Sequence, residues 1–294
     1  MKKLFVIKIG GNIIDDENQL SSFLNDFSKI KENKILVHGG GKIATKISRQ
    51  LGIEPKMIEG RRITDADTLK VMQMVYGGLI NKNIVAQLQS RNCNAIGLSG
   101  ADGNSILAKK RAPLSFGRGP ILSDSVLCRR AGPKGLSGES IGLLPRGEVD
   151  YGFAGDIVKI NEELFFSLLH TGVSPVIAPL THDGKGQLLN TNADTMASAI
   201  AVSLSKLYEV NLIYCFEKSG VLKNIEDENS VIEKINSKEY KQLKGKRIIY
   251  KGMIPKLDNA FDAIKQGVKT VVVGHAMDLK KVISNKKTGT RLEL

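Results

Sequence analysis

The sequence predicts an α/β protein built on a mainly parallel sheet. Two observations carry that expectation. Short apolar runs rich in β-branched residues alternate with amphipathic stretches of helical period along the 294 residues, the pattern of strands joined by helical crossovers. Several of the runs are continuously apolar rather than alternating, as parallel strands covered on both faces require.

The first strand is expected at Leu4–Ile9. The opening MKKLFVIKIGG has two lysines and an apolar stretch like a signal peptide, but Lys8 and the glycines cut the stretch short and no small-residue cleavage site follows. A helix over Gln19–Lys31, a strand at Lys34–His38 and a helix over Ile43–Leu51 come next. The longest helical pattern is Asp65–Arg91. It opens on Thr64-Asp65-Ala66-Asp67, a capping-box pattern with Asp at the fourth place. Gly77-Gly78 lies in its middle, at a cost of about 1 kcal/mol per glycine relative to alanine. The pair marks a kink or the close approach of another element, from within the chain or from a second subunit. A strand follows at Ala95–Leu98. Residues 112–147 have little periodicity and many breakers, and read as an inserted loop. A helix at Asn161–Thr171, a strand at Val173–Ala178, a helix at Ala193–Leu204, a strand at Asn211–Cys215, a helix at Ile254–Gln266 and a strand at Thr270–Val273 complete the alternation. No internal repeat interrupts it.

Composition excludes several classes. Hydrophobic residues make up 41% and charged residues 25%, as in globular chains and unlike disordered or fibrous ones. Three cysteines, Cys93, Cys128 and Cys215, have no CxxC spacing. That argues against a disulfide framework or zinc ribbon and fits a reducing cytoplasm. No apolar run approaches the ~20 residues that span a bilayer, so no membrane role is expected. The formal charge of +13 raises nucleic acid as a partner, but the excess is local. Residues 109–146 carry eight basic against two acidic residues, and 238–256 carry seven against one. Aromatics are 5% and tryptophan is absent, so no stacking platform for bases is evident. A basic site for a polyanionic small molecule such as ATP fits better.

Several motifs suit that ligand. The first strand ends in Lys8-Ile9-Gly10-Gly11-Asn12. Glycines let backbone N–H groups approach a phosphate and lysine supplies a point charge; the plain alternative is a strand followed by a flexible turn. The second strand ends in His38-Gly39-Gly40-Gly41-Lys42. This is not a P-loop, since Lys42 is followed by Ile43. It satisfies a loose GxGxxA at Gly39, Gly41 and Ala44 with Glu59 about 20 residues on. Glu59 lies in a Gly/Arg-rich turn rather than at a strand end, so an anion site at a helix N-terminus is the more general reading. Glu59-Gly60-Arg61-Arg62-Ile63-Thr64 sets two arginines before the long helix, as carboxylate forks or as a solvated basic turn. Leu188-Leu189-Asn190-Thr191-Asn192-Ala193-Asp194 brings two amides and a carboxylate to a strand-to-helix junction, as caps or as groups that bind substrate and orient lysines. Cys215-Phe216-Glu217-Lys218-Ser219-Gly220-Val221-Leu222 follows a strand with an acidic, glycine-containing turn. Tyr250-Lys251-Gly252-Met253-Ile254-Pro255-Lys256 sets a lysine in the first turn of a helix, where the dipole disfavours it; an anionic ligand nearby would account for it. His38, His170, His182 and His275 are scattered without zinc spacing. GxSxG is absent. No hydrolase and no protein metal site are expected.

The order KIGGN, HGGGK, GRRIT, LLNTNAD, CFEKSGVL, GMIPK and a terminal GTR resembles the amino-acid kinase family. Within it, the chain is similar to the branch that phosphorylates the γ-carboxylate of N-acetyl-L-glutamate with ATP, a step of arginine biosynthesis. The resemblance runs from Lys8 to about Arg291, and NTNAD followed by GMIPK is its most discriminating part. It implies a three-layer αβα sandwich with an N-terminal lobe, 1–178, for the acylated amino acid and dimerisation, and a C-terminal lobe, 179–294, for ATP. It implies Lys8 and Lys256 as transition-state lysines and Asp194 as the carboxylate that positions both. It implies substrate contacts at Gly40, Gly41, Arg62 and Asn190. It implies nucleotide contacts at Gly10, Gly11, Glu217, Lys218, Ser219, Gly220, Val221, Leu222, Ile248, Ile249 and Tyr250. Mg²⁺ would arrive with the ATP, and the protein would be a cytoplasmic homodimer.

Departures from the family pattern are Glu217 where aspartate is common, Gly100-Ala101-Asp102 for the usual Gly-Lys-Asp, and the 112–147 insert. The sequence opens directly on its first strand where arginine-inhibited hexameric members carry a further helix, which implies a dimer insensitive to arginine. No residue selects between N-acetyl- and N-succinyl-glutamate. Two competing readings are a catalytically silent nucleotide- or RNA-binding module on the same fold, disfavoured by the retained Lys8, Asp194 and Lys256, and a dinucleotide oxidoreductase resting only on the loose GxGxxA.

Overall fold

The computed structural model describes residues 1–58, 61–115, 142–143, 148–224, 226–249, 253–284 and 288–294. Its centre is an eight-stranded sheet in the order Lys234–Asn236, Thr290–Glu293, Thr270–His275, Glu209–Phe216, Lys3–Ile9, Asn33–His38, Ser174–Ile177, Ala95–Leu98. All neighbours are parallel except Thr290–Glu293 against Thr270–His275. The six strands expected from sequence are all here, each shifted by two residues or fewer at its ends. The two unexpected ones lie at one edge. They are short and mostly polar, so they carry no apolar run to read.

Alternation along the central strand builds the layers. Leu4 and Val6 join one apolar core with Met196, Ala197 and Ile200 of the helix Ala193–Leu204 and Leu257 and Phe261 of the helix Met253–Lys265. Phe5, Ile7 and Ile9 join a second core with Phe23 and Phe27 of the helix Glu17–Ser28 and with the long helix that follows Asp65. The result is a three-layer αβα sandwich. Residue 8 has the parity of Leu4 and Val6, so Lys8 points toward the helix that begins at Ala193.

The strands divide by sequence. Four from residues 1–178 fill one half of the sheet and four from 179–294 fill the other. They meet where Lys3–Ile9 pairs with Glu209–Phe216, in the register Lys8 opposite Tyr214 and Ile9 opposite Cys215. In open parallel sheets such a meeting point opens a crevice at the carboxyl ends of the strands.

A smaller sheet, Gly155–Ile160, Ile106–Lys110, Leu180–His182, Leu188–Asn190, flanks the first half. The sequence signals neither it nor the hairpin Lys56–Ile58 with Arg61–Ile63, because their strands are short and partly polar. It also signals no strand inside 112–147. Leu114–Ser115 and Gly142–Leu143 nevertheless both pair with Glu148–Asp150; residues 116–141 and 144–147 lie outside the described ones. The long helix is capped one residue later than the sequence pattern proposed, by the Asp65 side chain accepting from the Thr68 N–H at 2.9 Å. Gly77 and Gly78 fall in a π-helical stretch, Gln73–Ile80. Gly77 faces Leu180 within the chain at ordinary contact distance. A short helix, Gly11–Asp15, which the sequence does not announce, starts on the first glycine turn and hands over to Glu17–Ser28 at the Asp16 cap.

That second helix ends on a buried cation. The Lys34 ammonium donates to the carbonyls of Phe27, Ser28 and Ile30 at 3.0, 2.9 and 2.7 Å. Phe27 and Ser28 are in the last turn of the helix, where carbonyls lack an intrahelical partner, Ile30 lies just beyond it, and burial depresses the lysine's pKa. Lys34→Met keeps the stem and removes the donors, and should cost roughly 2–4 kcal/mol in urea unfolding. The exposed Lys56→Met should stay within about 0.5 kcal/mol of wild type.

Candidate active site

Three charged side chains converge where the two halves of the sheet meet. Lys8, 6% exposed, extends from the central strand to Asp194 Oδ1 at 2.7 Å. Lys256, in the first turn of Met253–Lys265, reaches Asp194 Oδ2 at 3.9 Å. Asp194 sits in the first turn of its own helix, which the Asn192 side chain caps by accepting from the N–H groups of Asp194 and Thr195 at 2.9 and 3.0 Å. Its backbone carbonyl accepts from the buried Tyr214 hydroxyl at 3.2 Å. Asp194 Oδ1 is buried and has no hydrogen bond of good geometry among the described residues, so the ion pair with Lys8 compensates its burial. Burial pulls the Lys256 pKa below the usual lysine range; Asp194 and Glu217 oppose that and Lys8 reinforces it.

The ammonium groups face a cleft of about 330 Å³ lined by Gly10, Gly11, Phe216, Glu217, Lys218 and Gly220, among others. The first glycine turn lines this cleft, and the second packs against it. A Cβ on Gly11 would lie 3.7–3.9 Å from the backbone nitrogens of Gly40, Gly41 and Lys42. Backbone N–H groups this close to one another, with no side chain between them, suit anionic oxygens.

The second turn is held from behind. His38 is fully buried, and burial lowers its pKa to about 4. Asn81 Nδ2 donates to His38 Nε2 at 3.1 Å and to the Val176 carbonyl at 2.9 Å. The ring proton therefore sits on Nδ1, which donates to the Gly39 carbonyl at 2.8 Å. Gly40 follows at φ 142°, packed beneath Ile80 and Tyr76.

Arg62 lies next to this turn. Its Nη2 donates to the Gly41 carbonyl at 3.2 Å and to Thr45 Oγ1 at 2.8 Å. Its Nη1 is buried without a hydrogen-bond partner among the described residues. A buried guanidinium nitrogen left unpaired costs energy and is suited to a carboxylate ligand. Asn190 donates to Thr64 Oγ1 at 3.0 Å. Tyr76 lies under Gly40, close enough to Arg62 to feel its charge.

The expected residues thus separate. Lys8, Asp194, Lys256, Gly10, Gly11, Glu217, Lys218 and Gly220 gather at or beside the cleft. Gly40, Gly41 and Arg62 form an adjoining group. Val221 and Ile249 are buried in the core, and Leu222 is bridged to Val231. Ser219 and Ile248 are not among the residues lining the cleft, and Ile248 donates its N–H to the Leu243 carbonyl at 3.0 Å. Tyr250 lies outside the described residues. Thr45 and Tyr76 lie outside the motifs read from the sequence; Phe216, Thr64 and Met253 lie inside them but carry no charge that marks a site. Among the described residues no group of three or more His, Cys, Asp or Glu is placed to hold a metal ion, and no helix is long and apolar enough to cross a membrane.

A sequence profile of the amino acid kinase family matches residues 3–275. The chain belongs to the amino acid kinase family. This kinase is 53% identical over 293 residues to the acetylglutamate kinase of Cytophaga hutchinsonii, covering 99% of each. It is 49% identical over 292 residues to the acetylglutamate kinase of Bacteroides thetaiotaomicron, again covering 99% of each. The solved structure of Giardia carbamate kinase shares the fold, with a TM-score of 0.61 at 14% identity, covering 99% of this chain and 98% of that one. Family membership makes ATP a substrate.

Gly40 tests the geometry of the turn. A Cβ there would meet Ile80 Cδ1 far inside contact distance, at a φ that suits only glycine. Gly40→Ala should cost roughly 2–5 kcal/mol in thermal or urea unfolding. Gly52→Ala, also at positive φ but with open space around it, should cost only about 1–2 kcal/mol.

Proposed function

We propose that this kinase transfers the γ-phosphoryl group of ATP to the γ-carboxylate of N-acetyl-L-glutamate, forming N-acetylglutamyl 5-phosphate, the second step of arginine biosynthesis. The observation that carries the reading is the buried Lys8–Asp194–Lys256 cluster facing the cleft where the two strand sets meet. The full-length relatives named acetylglutamate kinase supply the acceptor.

A carboxylate attacking a phosphoryl group brings two anions together, so the protein must neutralise charge and align oxygens. Lys8 and Lys256 flank the transferring group, and Asp194 holds both ammonium groups in position. No general base is required, because the attacking carboxylate is already ionised. N–H groups of the Gly10-Gly11 and Gly40-Gly41 turns hold oxygens without side-chain bulk. Arg62, through its unpaired Nη1, takes the α-carboxylate, and Asn190 assists. Binding energy spent there aims the γ-carboxylate. ATP lies beside Glu217, Lys218 and Gly220, which line the cleft; Mg²⁺ would arrive on its phosphates and supply further positive charge there. Residues 1–178 serve as the acyl-amino-acid lobe and 179–294 as the nucleotide lobe, a division supported by the segregation of strands in the sheet. A cytoplasmic homodimer completes the reading. Free, buried Cys93 and Cys215 agree with a reducing compartment, and exposed Met74, Leu79 and Ile96 offer apolar surface to a second copy.

The primary test is ADP release dependent on N-acetylglutamate, with the acyl phosphate trapped by hydroxylamine. No acetylglutamate-dependent ADP would refute the assignment, and N-succinylglutamate run alongside reads the acyl preference. Lys8→Ala and Lys256→Ala should each lower kcat about 10²–10³-fold, with far smaller effects on binding. Either variant retaining near-normal kcat removes that lysine from the mechanism. Arg62→Ala should chiefly raise KM for N-acetylglutamate and leave KM for ATP nearly unchanged; an equal loss for both would take Arg62 out of the amino-acid pocket. Lys256 works charged and its pKa is depressed by burial. Activity should therefore hold below that pKa and fall as pH rises through it, on a basic limb that begins below the ordinary lysine value of about 10.4. The limb should disappear from the residual activity of Lys256→Arg.

A further inference from the structure

We propose that the ring of Phe216 is a positioning element for the phosphoryl-transfer lysines, holding the Lys8 and Lys256 ammonium groups over its face by cation–π attraction as an uncharged second partner beside Asp194. The proposal rests on the kinase reading of the cleft. Phe216 ends the strand next to Lys3–Ile9, two residues beyond Tyr214, which pairs with Lys8. The same parity turns both aromatic side chains to the face that Lys8 occupies. The Phe216 ring stacks on Tyr214, with centroids 6.3 Å apart and planes at 10°, and it lines the cleft.

The distances are complementary. Lys8 has the short ion pair, 2.7 Å, and lies 5.2 Å from the ring centroid. Lys256 has the long ion pair, 3.9 Å, and lies 3.8 Å from the centroid. The lysine that Asp194 holds least is the one the ring holds most. One carboxylate cannot neutralise two ammonium groups that repel each other. A second carboxylate would restrain them, but it would cancel the positive charge and repel the incoming phosphate. An aromatic face attracts cations through its quadrupole and carries no net charge, so it restrains both lysines and leaves their charge available to the phosphoryl oxygens. The charged groups that act on Lys256 are Asp194 from its helix, Lys8 from the central strand and Glu217 from the turn after Phe216. None of them replaces the ring, since Lys8 repels and Glu217 is exposed.

Phe216→Leu retains apolar bulk and loses the π face. Its kcat should fall about tenfold, the order expected for a desolvated cation–π contact, with KM for N-acetylglutamate within about twofold of wild type. The decisive series replaces Phe216 by 4-fluoro-, 3,5-difluoro- and 3,4,5-trifluorophenylalanine, which weaken the ring quadrupole stepwise at nearly constant shape. Log kcat should decline in proportion to fluorination. A flat series, even with an impaired Phe216→Leu, would reduce the ring to packing and overturn the proposal. A readout independent of turnover is the Lys256 titration followed by the ¹³Cε shift and assigned with Lys256→Arg. Its midpoint should fall in Phe216→Leu and step downward with fluorination, and an unchanged midpoint would also overturn the proposal. Wild-type protein without acetylglutamate-dependent turnover would refute the N-acetylglutamate assignment alone and leave this titration to decide the role of the ring.

Discussion

The contact between Lys8 and Asp194 is the constraint around which the molecule is arranged. Bringing a full ion pair out of water carries a desolvation cost that its own attraction offsets only with good geometry. That geometry requires several independent features at once. The register of the central strand aims residue 8 at one face of the sheet. The Asn192 cap fixes where the facing helix starts, and so where Asp194 hangs. The meeting of two strand sets opens the space in front of them. With Lys256 added, the cluster has more positive than negative charge and stands ready for a polyanion before one arrives. Electrostatic catalysis depends on donors that need no rearrangement at the moment of reaction.

Much of this was legible in the sequence. Five of the six expected strands are inner ones, readable because a strand covered on both faces must be apolar throughout, and the sixth, Ala95–Leu98, is a short apolar edge strand; Lys8, Asp194 and Lys256 stood out as charges at element ends. The lysine at the start of Met253–Lys265 was conspicuous because the helix dipole argues against it. What remained hidden has physical reasons. Edge strands such as Lys234–Asn236 owe their pairing to neighbours rather than to their own pattern. The Gly11–Asp15 helix opens with two residues, Gly11 and Asn12, of poor helix propensity. Val221 and Ile249 look like part of ligand-binding motifs, but their side chains belong to the core. Phe216 carried the opposite disguise: an apolar residue in a motif reads as packing, and its role depends on where two distant lysines end up.

The site also holds an unmet demand. Arg62 Nη1 is buried without a hydrogen-bond partner among the described residues, which lowers the stability of the unliganded protein. Natural enzymes commonly carry such costs at their sites, where ligand supplies the missing partners.

The histidine behind the glycine turn adds a different vulnerability. With its folded pKa lowered to about 4, His38 is kept neutral by the fold, whereas an exposed histidine in the unfolded chain accepts a proton near 6.5. Above that value the two states bind protons equally at this residue and stability does not depend on it. Below it the unfolded chain gains protons that the folded one refuses, and folding free energy drains away as the pH falls toward 4. Protonation inside the fold would put a hydrogen on Nε2, against the amide donor of Asn81, and the lock on the Gly39 carbonyl would be opposed from its far side. The second glycine turn thus has a built-in floor of acidity, set by the one buried imidazole behind it.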